Sequence, residues 1–322
     1  MEKVMSRKLI TISTIMTLMS TSVIADVPNV AADIAPIHSL VSRVMDGVGA
    51  PKLIVQSGAS PHGYRLRPSE AKALQDADHV FWMGEELTPW LDSAIGTLAS
   101  KASVTTLLDQ QGVILHDFRE GALFEAHDHS AHGDDDHDDH DDHKDHDDHD
   151  DHGSHDPHAW LSPENAKLWL NIIASKLSVS DPENAATYFM NAAAGQAEIE
   201  AMIAEVKATL KPVQGGKFVV FHDAYQYFEN DFDFYASGAI SLGDSSDPSP
   251  ARIEKVQKRI RDEGIQCVLA EPQFKKGLVA TVMEGSDATA SVIDPLGAEL
   301  ETGPKLYTRL IKNMAKTLRN CL

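Results

Sequence analysis

Residues 182–210 read PENAATYFMNAAAGQAEIEAMIAEVKATL, and this stretch decides how the rest of the chain is arranged. After Pro182, the stretch contains no further proline and a single glycine, Gly195, so strong helix breakers are almost absent. Proline suits the first turn of a helix, so the stretch predicts one helix of roughly 29 residues. At 1.5 Å per residue the helix is about 43 Å long, enough to cross a molecule of this size. It therefore predicts two lobes joined by one long, rigid helix, with restricted lobe movement.

The segments on either side of this helix alternate between strand and helix patterns. Short runs rich in β-branched and aromatic residues predict strands, and the amphipathic runs between them predict helices. The predicted strands are 30–34, 52–55, 79–83 and 103–107 before the long helix, and 217–221, 232–236, 266–270 and 291–293 after it. Such alternation is typical of βαβ units with parallel strands. We therefore predict an α/β fold class, with two similar lobes of mostly parallel sheets flanked by helices.

The length of 322 residues is sufficient for two domains with cores of their own. The predicted boundaries are a signal peptide at 1–25, an N-terminal α/β lobe at 26–124, a disordered His/Asp-rich loop at 125–157, the end of the N-terminal lobe with a helix at 158–180, the long inter-lobe helix at 181–211 and a C-terminal α/β lobe at 212–322.

The N-terminal segment predicts export. Lys3, Arg7 and Lys8 precede an apolar stretch at 9–19, and residues 23–25 supply small or modest side chains before a cleavage site. The apolar stretch is too short to span a bilayer comfortably, so a cleavable signal is favoured over a membrane anchor. No cysteine lies near the cleavage site. We therefore expect a periplasmic protein without a lipid anchor.

Residues 125–158 read EAHDHSAHGDDDHDDHDDHKDHDDHDDHGSHDPH. Almost no apolar side chain is available there to offset the entropy of ordering, so disorder is predicted. Imidazoles and carboxylates bind borderline metals such as zinc, and the segment therefore predicts accessory metal sites. The candidate residues are His127, His129, His132, His137, His140, His143, His146, His149, His152 and His155.

The acidity of the chain is concentrated in this segment. Between Glu125 and Asp156, fifteen acidic residues and one lysine contribute −14 of the net charge of −21. The remaining −7 is ordinary for a protein surface. This distribution argues against nucleic acid as a partner and for cations.

Three other histidines lie in loops at strand ends or at a lobe boundary. His62 follows the second predicted strand, His158 precedes the inter-lobe helices, and His222 follows the first strand of the second lobe. Ligands of open α/β sheets bind outside the carboxyl ends of strands, so the three can converge in the cleft between the lobes. Imidazoles on rigid loops suit zinc at about 2.0–2.1 Å in tetrahedral geometry. Asp294, also at a strand end, is a candidate fourth ligand, with water as the alternative.

Other residues receive structural interpretations. Cys267 and Cys321 are the only cysteines, and an isolated pair in an exported protein is usually a disulfide, with two free thiols as the alternative. His38 follows Pro36 on a predicted helix and is interpreted as a surface residue. The tryptophans are expected in the core or at the lobe interface rather than in contact with a ligand. They are Trp82, Trp90, Trp160 and Trp169.

Two alternative functions follow from the same residues. Three histidines and a water also make a catalytic zinc site, for which Asp223 or Glu271 would be the general base, but nothing in the sequence marks a substrate pocket. Alternatively, the function could be adhesion or passive metal buffering, with the His/Asp-rich loop as the whole functional part. In a binding site, carboxylates that hydrogen-bond to the ligating imidazoles should orient them, and Asp156 or Asp223 could do this.

Several motifs together resemble those of the periplasmic high-affinity zinc-uptake binding proteins of ABC transporters, a family of metal-binding solute-binding proteins. The resemblance covers nearly the whole mature chain. Its motifs are GASPH at 58–62, DPHAWLSP at 156–163, FHDAY at 221–225, EPQF at 271–274 and IDPLG at 293–297. A His/Asp-rich insertion before the second ligand, and a disulfide placed like Cys267–Cys321, are also typical of that family.

The resemblance implies that His62, His158 and His222 are zinc ligands. Some family members use a glutamate immediately before the first ligand histidine, where this chain has Pro61, which cannot ligate. Manganese-type relatives usually have a carboxylate at the third position, so His222 favours zinc over manganese.

The resemblance further implies a protein without catalytic activity that captures Zn²⁺ as a transported ligand. Its implied partner is a membrane permease driven by a cytoplasmic ATPase, and the protein itself is expected to be a monomer.

Overall fold

The computed structural model describes residues 27–119, 124, 155–241, 248–273 and 276–322. The predicted signal peptide and nine of the ten loop histidines, all except His155, lie outside these described residues. In the described ranges, none of the helices combines the length and the apolar character needed to span a membrane.

The first lobe is a four-stranded parallel sheet with helices between its strands. The elements are β1 (Val30–Ala32), α1 (Ala35–Val44), β2 (Lys52–Leu53), α2 (Pro68–Gln75), β3 (His79–Trp82), α3 (Pro89–Leu98) and β4 (Ser103–Thr106). The strand order is β2-β1-β3-β4. Every residue of β1 and β3 is buried, as expected for central strands with helices on both faces of the sheet.

The second lobe repeats this arrangement. Its elements are β5 (Phe218–His222), α6 (Gln226–Phe232), β6 (Ala239–Ser241), α7 (Pro250–Glu263), β7 (Cys267–Ala270), α8 (Lys276–Met283), β8 (Thr289–Val292) and α9 (Leu306–Cys321). The four strands are parallel in the order β6-β5-β7-β8, which matches the order in the first lobe. The predicted α/β class is therefore confirmed, while the predicted domain boundaries stay predictions.

Two helices connect the sheets. They are α4 (Pro163–Ser180) and the long α5 (Ala185–Leu210). A 3₁₀ turn at Pro182–Asn184 precedes α5, which has 26 residues and is therefore about 39 Å long. One stripe of α5 is buried, from Tyr188 to Leu210, and the helix contacts α1 and α4 of the first half as well as α9 of the second. The predicted long inter-lobe helix thus begins one turn later than its proline.

One predicted strand is wrong. The stretch 232–236, FDFYA, predicts a strand because it is aromatic, but Phe232 ends helix α6 and Asp233 adopts a left-handed conformation with φ 50°. Strand β6 forms instead at 239–241. The aromatic side chains still pack in the core, but from the end of α6 and the turn after it: Phe232 contacts Phe228, and Phe234 stacks on Phe218.

The predicted disulfide is confirmed. Cys267 begins β7 and Cys321 ends α9, and their sulfur atoms are bonded at 2.02 Å. The bond therefore attaches the last helix to the sheet of the second lobe.

Candidate metal centre

His222 is positioned by the topology of the second sheet. It is the last residue of β5, and the chain leaves β5 towards β6 on one side and returns to β7 on the other. This arrangement opens a crevice at the carboxyl ends of β5 and β7. Glu271 directly follows β7, and its Oε1 accepts a 2.5 Å hydrogen bond from His222 Nδ1 across that crevice. Gln273 donates to the other oxygen, Oε2, at 2.8 Å.

His158 is held by a tight turn before the inter-lobe helices. Asp156 Oδ1 accepts hydrogen bonds from the backbone N–H of His158 at 3.0 Å and from its Nδ1 at 2.6 Å. The turn that follows is anchored by Trp160, whose indole N–H donates to the carbonyl of Pro295. Tyr307 adds a hydrogen bond to the Trp160 carbonyl. His158 is therefore fixed by groups from both halves of the chain.

His62 comes from the first lobe, on the loop between β2 and α2. Its ring centroid lies 5.6 Å from that of His158, which in turn lies 5.2 Å from that of His222. His62 is half-buried, whereas His158 and His222 are 5% and 3% exposed. His62 is thus the member of the group that faces solvent most.

The three imidazoles form a group with the geometry of a metal site. One ligand atom from each of His62, His158 and His222 lies within 4.8 Å of the others. The Nε2 atoms of His158 and His222 are 3.4 Å apart. Two nitrogens bound tetrahedrally to zinc at 2.0–2.1 Å would be about 3.3 Å apart, so the spacing suits such an ion.

The carboxylates explain why these nitrogens face each other. When Nδ1 carries the proton that is donated to Asp156 or Glu271, Nε2 presents a lone pair. Two lone pairs 3.4 Å apart repel one another, and a cation between them removes the repulsion. The prediction that Asp156 orients an imidazole is confirmed for His158, whereas Glu271 fills this role for His222.

Asp223, the other predicted orienting residue, belongs to a neighbouring ion cluster. Arg119 donates through Nε and Nη2 to Asp223 and through Nη1 to Glu229 at 2.6 Å. Burial raises the pKa of both carboxyls, and the guanidinium opposes that rise. Burial by itself would lower the pKa of Arg119, but its two carboxylate partners raise it above its ordinary value. Arg119 is the last basic residue before the acidic loop, but no sequence motif marks it as the partner of these two carboxylates.

Asp294 is placed differently from the three histidines. In the described part of the chain, it is not a member of the group of mutually close ligand atoms. Its Oδ1 accepts from the backbone N–H groups of Leu296 and Gly297, and its Oδ2 accepts from that of Ala298 at 2.6 Å. These three bonds stabilise the turn after β8 and use three of the roughly four lone-pair positions of the carboxylate.

The accessory loop histidines are described only at the loop's end. His155 Nδ1 lies 2.9 Å from Asp117 Oδ1, and the two residues also form a backbone bridge. The others, from His127 to His152, lie outside the described residues.

Solved structures share this fold. A crystal structure of ZnuA superposes with a TM-score of 0.72 at 21% identity, covering 92% of this chain and 99% of that one. The solute-binding protein FpvC from Pseudomonas aeruginosa, in complex with Mn²⁺, gives a TM-score of 0.73 at 19% identity, covering 92% of this chain and 98% of that one. At these identities the comparison shows the fold alone.

Sequence relatives are closer. A high-affinity zinc uptake system protein ZnuA from Brucella abortus (strain 2308) is 47% identical over 304 residues, covering 91% of each chain. Its counterpart from Paracoccus denitrificans (strain Pd 1222) is 42% identical over 302 residues, covering 92% of this chain and 93% of its own. A family model described as zinc-uptake complex component A, periplasmic, matches residues 30–321. The chain therefore belongs to the family of periplasmic zinc-uptake components A.

Proposed function

We propose that this protein captures Zn²⁺ in the periplasm through His62, His158 and His222 and delivers it to an ABC-type zinc importer. The observation that carries the proposal is the group of three ligand nitrogens within 4.8 Å, two of them held by buried carboxylates. The family and its relatives named as high-affinity zinc uptake proteins support the same role. The recipient is a membrane permease driven by a cytoplasmic ATPase, and the binding protein acts as a monomer.

The donor set favours zinc over manganese. Three imidazole nitrogens suit a borderline ion, whereas manganese prefers carboxylate and other oxygen ligands. Because Asp294 does not belong to the group of mutually close ligand atoms in the described residues, and three backbone N–H groups hold it in its own turn, we assign the fourth position to water. A water at this position can be replaced by another ligand when the zinc is transferred to the importer.

The contacts of the two candidate general bases, Glu271 and Asp223, favour metal binding over hydrolysis. Glu271 accepts from His222 and Gln273, and Asp223 accepts from Arg119, so both candidate general bases are committed to partners. We therefore propose a binding protein without catalytic activity.

The test is a competitive zinc titration of the mature protein against a chelating indicator. Losing one orienting partner costs a metal site about 10–100-fold in affinity, so His222→Ala, which removes a ligand, should cost about 100-fold or more. His116→Ala is the matched control, because His116 contacts the Tyr227 ring close to Asp156 but does not belong to the ligand group. Unchanged affinity in His222→Ala would contradict the proposal.

Deletion of residues 127–152 separates this proposal from a metal buffer. The variant should keep one high-affinity zinc site and lose only weak, exchangeable binding. If the high-affinity site disappears with the loop, the buffer hypothesis replaces ours.

A further inference from the structure

The loop that carries His62 is the least enclosed part of the metal centre. His158 and His222 are almost fully buried, and each is backed by a carboxylate that is 1% or 2% exposed. His62 is half-buried and lies on a loop that only the first lobe supplies. Its position therefore depends on whatever attaches this loop to the first lobe.

Trp90 makes that attachment next to His62. It is the second residue of α3, and its indole N–H donates a 2.7 Å hydrogen bond to the carbonyl of Pro61. The Trp90 ring also contacts the ring of Tyr64, with centroids 5.7 Å apart. Trp90 thus touches the chain one residue before His62 and two residues after it.

The far end of the loop has its own anchor. Glu70, 3% exposed on α2, accepts a 2.8 Å hydrogen bond from the Tyr64 hydroxyl and a 2.7 Å bond from the backbone N–H of Arg67. This anchor fixes the segment after His62. The hydrogen bond from the Trp90 indole to Pro61 fixes the segment before His62, because Pro61 is the residue that directly precedes it.

We propose that Trp90 is a positioning residue that holds His62 against the other two imidazoles and thereby sets how long zinc stays bound. The inference rests on the proposed function, because it requires His62 to be a ligand. Without the indole N–H, the Pro61 carbonyl is released and the His62 loop can swing towards solvent. Zinc then remains on two imidazoles and dissociates sooner.

Trp90→Phe is the informative variant, since it keeps an aromatic ring for packing and removes the N–H donor; the smaller size of the phenyl ring is matched in the control. Trp82→Phe is its matched control in the same lobe. The indole of Trp82 also donates a hydrogen bond, at 3.1 Å, but to Thr106 Oγ1 on the adjacent strand β4 and not to the His62 loop. Both substitutions remove one indole N–H, and only Trp90→Phe removes the bond to Pro61.

The measurement is zinc release from the full mature chain, loaded with one equivalent and mixed with excess chelator in a stopped-flow instrument. Trp90→Phe should release zinc about 10-fold faster, the lower end of the effect of losing an orienting partner. Trp82→Phe should release it at the wild-type rate. The same pair is compared in a His62→Ala background, where Trp90→Phe should have no further effect. That result separates positioning of His62 from a general loss of stability.

The outcomes are distinct. A wild-type release rate in Trp90→Phe overturns the inference, and so does an equal acceleration with and without His62. If His62→Ala itself binds and releases zinc as the wild type does, the proposed function fails together with the inference. If His62→Ala weakens binding while Trp90→Phe changes nothing, only the inference fails.

Discussion

At the scale of single residues, Arg119 is the cation on which two buried carboxylates depend. Its side chain is 16% exposed, and those of Asp223 and Glu229 are 7% and 1% exposed. The Phe124 ring covers the guanidinium at 3.6 Å. Removing one partner of such a buried cluster leaves charges that neither water nor another side chain compensates.

Arg119→Met should therefore lower the free energy of unfolding by about 3–5 kcal/mol at pH 7.5. The pKa values of Asp223 and Glu229 are already raised by burial and should rise further, so both take up protons more readily in the folded state. A raised folded-state pKa favours the fold at low pH, so the deficit should shrink from pH 7.5 to pH 5. Urea unfolding of the wild type and of Arg119→Met at both pH values measures this difference in the free energy of unfolding.

Lys312→Met serves as the control for that experiment. Lys312 pairs with Glu205 at 3.1 Å, but their side chains are 30% and 51% exposed, so the loss should stay below about 1 kcal/mol. A loss in Arg119→Met no larger than in this control would contradict the assignment of Arg119 as the compensating charge.

The prediction that His38 lies on the surface is wrong. His38 is 9% exposed rather than on the surface, with Nε2 3.2 Å from the carbonyl of Pro51 and Nδ1 3.4 Å from Ser42 Oγ. Burial lowers its pKa, although the Pro51 carbonyl works in the opposite direction. A run of residues after Pro36 predicts the helix but not the loop that folds back over it.

The lowered pKa of His38 predicts a pH dependence of stability. Below about pH 6.5 the unfolded chain binds the proton more readily than the folded one, so acidification favours unfolding. The free energy of unfolding should therefore fall more steeply from pH 7.5 to pH 5 in the wild type than in His38→Gln. Glutamine keeps an N–H donor for Pro51 and does not titrate. Parallel pH profiles of the two proteins would refute the prediction.

At the scale of elements, the packing of α5 against its neighbouring helices explains why it contains a glycine at position 195. A Cβ at Gly195 would lie 3.0 Å from Leu170 Cδ1 on α4 and 3.1 Å from Arg43 Cγ on α1. Glycine costs a helix interior about 1 kcal/mol relative to alanine, and here it allows three helices to approach closely. In the sequence, Gly195 is only an exception within a helical run, because the sequence does not show which side chains lie opposite it.

Gly195→Leu should lower the free energy of unfolding by about 1–3 kcal/mol, because the larger side chain has to displace Leu170 or Arg43. Ala194→Leu is the control on the adjacent, exposed position of the same helix, where the change should be within about 0.5 kcal/mol. Chemical denaturation of both variants decides the matter. Equal effects would show that α5 is not tightly packed at Gly195.

At the scale of the whole molecule, α5 limits how the two sheets can move relative to each other. It contacts α1, α4 and α9, and the ion pair Lys312–Glu205 joins it to the last helix. The disulfide between Cys267 and Cys321 fixes that helix to the second sheet. Movement of the metal centre is therefore expected in loops such as the one carrying His62, rather than in a hinge between lobes.

Small-angle X-ray scattering should accordingly give superimposable profiles for the zinc-free and zinc-loaded protein. The comparison is best made with the variant that lacks residues 127–152, because zinc binding to the loop would otherwise change the profile by itself. A clear decrease in the radius of gyration on adding one equivalent of zinc would indicate hinge closure and contradict the role given to α5.

The sequence by itself determined the fold class, the long connecting helix, the disulfide pair and the three histidines that meet. These follow from local signals: hydrophobic periodicity, the scarcity of helix breakers, an isolated pair of cysteines, and histidines in loops after strands or at a lobe boundary. Only the tertiary structure decided which partners these residues have. Glu271 backs His222, Arg119 joins Asp223 to Glu229, and Trp90 holds the loop of His62. Each of these contacts joins elements far apart in the chain, and their spacing is set by how helices and sheets pack, which local pattern does not encode.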